Sequence, residues 1–463
     1  MKRPHSVLII GAGITGLAAA YRLQQVSPQT EIALLEREQR FGGKIWSEQR
    51  NGFVIEAGPD SFLSSKPRGV ALCAELGLAG RLHGTNHQMR RSFVMRGGSL
   101  FPIPEGLSGL VPARLEPILE SRLFSSNGKQ RFLQERSTPA GGPDGDESLA
   151  AFMTRRFGQE IYARLIEPLM AGIYAGDGGE LSLAATFPQL RALELEYGSV
   201  LRGLEATRAA RAADSPQPGF LSFPHGMGEL VNALTTQLRR VRICTGSEVR
   251  RLSRSRTGFK AELVRGEYIE ADAALVAVPA TMAATVLAEV DADLAHALHQ
   301  IPHISTATVS AAFPLAAIPH LLNGFGYLVP RQEGRSVLAS TWSSVKFPHR
   351  APAHHALLRA FIGRAGDDDM VSAPEQDLLE MARHEWRTTL GINAGPTLAR
   401  VYRWPRGMPQ YTLGHADRLA MIHTRLRDIP GLFVAGNGYR GVGIPDCIQG
   451  GETAADQIAT LFA

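Results

Sequence analysis

The sequence predicts an α/β fold in three regions: a Rossmann-like domain on a parallel sheet, a domain with a mixed or antiparallel sheet, and a mainly helical third region. Three observations predict it. The chain opens on SVLIIGAGITGLAAAYRLQQ, which reads as a buried strand, a glycine turn and a helix. Residues 301 to 345 alternate short apolar runs with turns, as antiparallel strands do. Helical periodicity runs from Leu149 to Phe157 and from Ile161 to Met170. The expected division is discontinuous. Residues 1-82, 220-290 and 405-463 form the first domain, 83-99, 190-219 and 291-404 the second, and 100-189 the helical region.

The 463 residues are 44% hydrophobic and 20% charged, the composition of a globular chain with room for two or three domains. A net charge of +5 admits an anionic small molecule or an anionic membrane surface. The absence of a long lysine/arginine block argues against nucleic acid as a partner. Cys73, Cys244 and Cys447 are far apart and form no CxxC, so neither a disulfide scaffold nor a metal centre is expected, and a reducing compartment is. A strand entered by Ser6 leaves no room for a signal peptide. No run reaches the roughly 18 apolar residues that span a bilayer. The expected location is cytoplasmic, with peripheral attachment to the cytoplasmic membrane left open.

Gly11, Gly13 and Gly16 make the pattern G-x-G-x-x-G between strand and helix. The first allows the tight turn, the second lets the backbone approach a pyrophosphate, and the third lets helix and strand pack closely. Ile14 and Thr15 stand in the helix's first turn, where free N–H groups meet phosphate oxygens. Glu36 ends the second strand, EIALLE, twenty positions past Gly16. A carboxylate there accepts both hydroxyls of an unphosphorylated ribose. A dinucleotide site follows, with FAD and NAD not separated by these residues alone.

The next stretch, REQRFGGKIWSEQRNGFVIEAGPDSF, resembles the amine oxidase and phytoene desaturase superfamily of flavoproteins. The resemblance implies FAD, and places Arg37, Gly42, Gly43 and Lys44 along it, although Arg37 and Lys44 also read as plain surface charge. It brings the EAGPDSF segment, with Gly58, Pro59 and Asp60, near the isoalloxazine. It also implies the p-hydroxybenzoate hydroxylase/amine oxidase-like architecture.

A narrower resemblance lies in the middle of the chain. Arg155 to Gly158 with Glu160, Glu167 to Asp177, Leu181 to Pro188 and Glu196 to Ser199 follow the order found in the oxygen-dependent, FAD-containing porphyrinogen oxidases. That family comprises the protoporphyrinogen oxidases and the coproporphyrinogen III oxidases. The segment GFGYLVP resembles the same family, and Phe325 and Leu328 are the residues it offers to sandwich a pyrrole ring. YRWPRGMPQYTLGH does so too, with Trp404 as neighbour of the isoalloxazine edge. Val249 matches the position where backbone meets the adenine. His225 stands where relatives carry a glycine, and reads as a turn or surface residue. Of the arginines before the FVMRGG strand, Arg91 is the first choice for a substrate propionate, with Arg90 and Arg96 in reserve.

Residues 431 to 451, GLFVAGNGYRGVGIPDCIQGG, hold seven glycines and lead into the last helix. N–H groups at such a helix start can face the flavin pyrimidine and stabilise negative charge on it. From Gly436 to Ile448 this segment carries the family's G-N-x-Y-x-G-V-G-x-x-D-C-I, and Gly436, Val442, Gly443 and Ile444 are the flavin contacts it implies. Asp446 reads as a helix cap and Cys447 as a buried thiol.

The resemblance implies oxidation of protoporphyrinogen IX to protoporphyrin IX, with dioxygen as acceptor and hydrogen peroxide as by-product. Coproporphyrinogen III is the alternative substrate, and an amine or carotenoid a further one. No residue is assigned as a catalytic base. The apolar, basic stretch 100–133 reads as core, cavity cap, dimer contact or membrane-facing surface.

Overall fold

Val7–Ile10 are apolar throughout because both faces of their strand are covered. In the computed structural model, which describes residues 4–142, 145–210 and 219–463, Ser6–Ile10 is the central strand of a five-stranded parallel sheet. Glu31–Leu35 and Val241–Cys244 lie on one side of it, Ala273–Val276 and Leu432–Val434 on the other. Helices Ile14–Val26, Gly228–Gln237 and Ile444–Phe462 bury one face. A three-stranded antiparallel sheet, Val249–Arg254, Phe259–Leu263 and Tyr268–Ala271, packs on the other with helices Ala280–Leu287 and Ala292–His299. Burial on both faces makes parallel strands continuous apolar runs. A Cβ added to Gly451 would sit 2.2 Å from the Thr15 carbonyl oxygen, so the last helix crosses the first at a distance only glycine permits.

The second sheet has seven strands, in the order Leu398–Pro409, His303–Pro314, His355–Ile362, Val337–Trp342, Gly326–Leu328, Phe93–Arg96 and Ser99–Pro102. Every pair is antiparallel except Gly326–Leu328 with Phe93–Arg96, so the sheet is mixed. Helix Glu375–Leu390 covers one face, with Trp342, Trp386 and Phe313 fully buried between them. Strands Ser99–Pro102 and Leu398–Pro409 run across the limits drawn from sequence at 99/100 and 404/405, because their ladders hold them to this sheet.

Helices Leu149–Phe157, Glu167–Tyr174, Pro188–Tyr197 and Val200–Ala210 form the helical region, with a π-helical turn at Tyr162–Ile166. Leu110, Val111, Ile118, Leu123, Phe124 and Phe132 of the 100–133 stretch are buried in its core. Residues 211–218 of the segment 190-219 lie outside the described residues. Arg156 is wholly buried and binds the carboxylates of Glu135 and Glu194. Glu135 in turn accepts from the Ser199 hydroxyl at 2.5 Å and the Val200 N–H at 2.9 Å, which caps the helix that follows. No helix among the described residues is long and apolar enough to cross a membrane.

Candidate active site

A single cavity of about 2780 Å³ is lined by all three regions. Ordinary ligand pockets measure about 300–1,000 Å³, so this one has room for a dinucleotide and a second large ligand.

One end is the glycine cradle. Gly11 has φ +103°, and an added Cβ would meet the Ala277 carbonyl oxygen at 2.7 Å. A Cβ on Gly16 would meet the Gly11 carbonyl oxygen at 1.9 Å. At Gly13 nothing lies within 4 Å of that position, which opens on the cavity. Turn, packing and open floor are thus divided among the three glycines. The Glu36 carboxylate is buried at the strand end and accepts from the Ala12 N–H at 2.8 Å and the Glu38 N–H at 2.9 Å. A carboxylate has about four acceptor sites, so two remain for ribose hydroxyls. Val249 lines the same cavity from the start of its strand.

Gly58, Pro59 and Asp60 wall another part of the cavity, with the buried Ala57 behind them. The Ala57 carbonyl accepts from Trp404 Nε1 at 2.9 Å, Thr308 Oγ1 at 3.0 Å and Arg359 Nη2 at 3.2 Å. Arg359 Nη2 also donates to the Gly58 carbonyl at 2.6 Å. Asp60 pairs with Lys346 Nζ at 2.9 and 3.0 Å. Burial alone would raise the Asp60 pKa, but Lys346 and Arg359 hold it well below the usual carboxylate range. The wall is therefore backbone tied to the mixed sheet by cations and an indole.

The last helix starts in the same cavity, which Val442, Ile444 and Cys447 line. The Gly443 N–H donates to the Asp446 carboxylate at 3.2 Å, and Asp446 pairs with Lys66 at 2.5 Å, so Asp446 caps the helix. Burial brings the Lys44 ammonium down to about 8 and pushes the Cys447 thiol up to about 11. That thiol is protonated at neutral pH and unreactive. The open floor at Gly13, the spare lone pairs of Glu36 and the helix start fit the phosphates, ribose and ring of an FAD.

Further along the cavity the lining is apolar. Leu328, Leu338 and Phe361 of the mixed sheet face Leu169 and Gly172 of the helical region. A Cβ on Gly172 would touch Leu328 Cδ2 at 3.4 Å. The walls touch at that point, and the apolar lining around it suits a hydrophobic molecule.

Most residues named from the sequence line this one space. Gly11, Gly13, Ile14, Thr15, Glu36, Arg37, Gly42, Gly43 and Lys44 do so, as do Gly58, Pro59, Asp60, Val249, Leu328, Trp404, Gly436, Val442 and Ile444. Gly16 and Gly443 stand behind the lining, where one packs on Gly11 and the other joins the Asp446 cap. Arg91 and Phe325 are not brought into the cavity. Arg91 is exposed, and it is its backbone carbonyl that meets the Phe325 N–H, at 2.7 Å. Tyr327 turns its hydroxyl to Glu385 on the covered face of the sheet. Leu328, the next residue, takes the cavity face, while Phe325 precedes the strand and lies outside the cavity lining. His225 is exposed and outside the lining. Sequence reasoning missed Lys346 and Arg359. The second had a usable signal: an arginine inside the apolar strand HALLRAFI, where a charge needs a buried partner.

Comparison with known proteins agrees with this geometry. The pattern of the flavin containing amine oxidoreductase family matches residues 14–459. The chain is 35% identical to a coproporphyrinogen III oxidase of Bacillus subtilis (strain 168), over 99% of this chain and 98% of that one. It is 31% identical to a protoporphyrinogen oxidase of Homo sapiens, over 97% of each. It superposes with a TM-score of 0.87 and 33% identity on a crystal structure from Exiguobacterium sp. 255-15, provisionally assigned as a protoporphyrinogen oxidase, covering 98% of this chain and 99% of that one. The chain belongs to the flavin containing amine oxidoreductase family, and that membership implies an FAD cofactor.

Proposed function

We propose that the protein is an FAD-dependent porphyrinogen oxidase of heme biosynthesis that converts coproporphyrinogen III to coproporphyrin III, with dioxygen as electron acceptor. The observation that supports this most is the continuity of one cavity from the glycine cradle and Glu36 to the apolar walls at Leu328 and Phe361. Bound FAD supplies the hydride acceptor and passes electron pairs to dioxygen. Glu36 would hold its ribose, the N–H groups around Gly13 its pyrophosphate, and Ala57–Asp60 with Val442–Ile444 its ring. The chain's own part is to orient the macrocycle and exclude water between the two apolar walls. Its N–H groups at the start of the last helix offer a fixed positive end to charge that develops nearby. The overall change removes six electrons and six protons from the macrocycle, and three dioxygen molecules take them up as three hydrogen peroxide.

The sequence alone put protoporphyrinogen IX first. The comparisons support the coproporphyrinogen alternative better, because the Bacillus relative is more similar to this chain than the human one, at 35% against 31% identity. Arg114 and Arg208, exposed cations of the cavity lining, also suit a substrate with four carboxylates rather than two. Aerobic turnover of each porphyrinogen, followed by porphyrin fluorescence and peroxide release, tests the proposal. Oxidation of coproporphyrinogen III at the higher kcat/KM is expected. Preference for protoporphyrinogen IX would return the assignment to the first reading, and inertness toward both would remove it.

A further inference from the structure

The cations that line this cavity differ in what they meet. Several are held by the protein. Arg400 pairs with Glu48 at 3.0 Å, Lys346 with Asp60, and Arg403 donates to the carbonyls of Val371 and Ala373. Arg114, Arg208 and Arg406 also line the cavity, but all three are exposed, and among the described residues no carboxylate pairs with any of them. Arg406 belongs to the strand of Trp404, while the other two come from the helical region. Arg208 stands in the last turn of helix Val200–Ala210, and Leu204, Thr207 and Arg208 are the residues of that helix that line the cavity. Their spacing puts them on one helical face. Arg114 folds its stem over Gly106, where an added Cβ would meet its Cδ at 2.7 Å. Leu204 and Leu107, cavity-lining neighbours of these two arginines, pack on the same apolar cluster as Leu169 and Leu328 of the apolar walls.

A hydrophobic disc that carries carboxylates places its faces between apolar walls and its charges at the wet rim. A guanidinium at that rim meets a carboxylate with two parallel hydrogen bonds and needs little desolvation. We propose that Arg114 and Arg208 form a carboxylate subsite at the rim, which recognises the propionates that a four-carboxylate porphyrinogen has beyond a two-carboxylate one. They are specificity-determining residues, not catalytic ones. This rests on the porphyrinogen reading above and adds to it the residues that select the substrate.

The test compares holoenzyme with Arg114→Ala, Arg208→Ala, the double variant and the double Lys variant. Four quantities are read: FAD content, KM and kcat on coproporphyrinogen III, the same on protoporphyrinogen IX, and the Kd of coproporphyrin III by fluorescence quenching. The double Ala variant is expected to keep its FAD and its kcat. Its KM for coproporphyrinogen III and its Kd for coproporphyrin III should rise by about tenfold, with a much smaller rise for protoporphyrinogen IX. The Lys variant should recover part of the loss, because it restores the charge but not the paired hydrogen bonds. An equal loss on both substrates, or no loss on either, overturns the subsite while leaving the oxidase reading intact. A wild-type enzyme inert toward both porphyrinogens overturns the oxidase reading, and the subsite with it.

Discussion

The Arg359 guanidinium donates to the Gly58 carbonyl at 2.6 Å and to the Ala57 carbonyl at 3.2 Å, across 301 and 302 positions of sequence. This places a charged anchor behind the wall on which the flavin ring is proposed to lie. Arg359 is 3% exposed, so its charge is balanced by Asp60 and by the carbonyls it holds.

Arg359→Met removes those bonds and leaves Asp60 with Lys346 alone. The expected outcome is a loss of about 2–4 kcal/mol in the unfolding free energy of the apoprotein and a lower flavin-to-protein ratio after purification. Urea unfolding and flavin absorbance read the two effects. Arg359→Lys should fall between wild type and Met, because a lysine keeps the charge but loses the fork.

The glycine cradle separates binding from folding. Gly13→Val places its side chain on the open cavity floor, so the apoprotein should fold with a nearly unchanged thermal midpoint and fail to retain FAD. Gly16→Val forces a side chain onto the Gly11 carbonyl oxygen, 1.9 Å from the added Cβ. It should instead lower stability by several kcal/mol, as overpacking against backbone does. Thermal unfolding of the two apoproteins beside their FAD content distinguishes the roles.

Lys44 predicts a pH effect. In the folded apoprotein burial lowers its pKa to about 8, from 10.5 for the free side chain. Between those values the unfolded chain binds more protons than the folded one, so this group makes stability rise with pH across the window. Below it the ammonium is charged in both states and its burial is a standing cost. Lys44→Met apoprotein should therefore be more stable than wild type at neutral pH, with the difference shrinking as pH rises toward about 10.5. Thermal midpoints of both proteins over that range measure it.

Arg156 is the corresponding anchor of the helical region. Arg156→Ala leaves Glu135 and Glu194 buried without their shared cation. The expected cost is about 3–5 kcal/mol, read as a lower urea midpoint and as faster proteolysis between residues 135 and 200. FAD content of the surviving folded protein should change little, because this network lies outside the cavity lining.

What the sequence made legible follows from where the information is held. Gly11, Gly13, Gly16 and Glu36 act through local spacing, and a strand–turn–helix allows them one arrangement. The 155–199 block was readable as kinship, and the structure gives its letters a physical basis: Arg155 and Arg156 bind Glu194, and Ser199 binds Glu135. Phe325 and Arg91 were harder. Both residues precede their strands, Gly326–Leu328 and Phe93–Arg96, and are tied to each other by backbone rather than turned into the cavity. A side chain's direction just outside a strand is set by tertiary pairing, which local pattern does not encode. Lys346 and Arg359 reach Asp60 and Gly58 from 286 and 301 residues away in the chain, and no local pattern encodes that contact.

The central claim is that one cavity holds FAD and a porphyrinogen side by side. Anaerobic addition of coproporphyrinogen III to the purified, flavin-loaded protein tests it most directly. Bleaching of the oxidised-flavin band together with the appearance of oxidised macrocycle, reversed at the flavin when air is admitted, is the result expected. A flavin that stays oxidised under coproporphyrinogen III and protoporphyrinogen IX alike, in protein that retains its full complement of FAD, would contradict it.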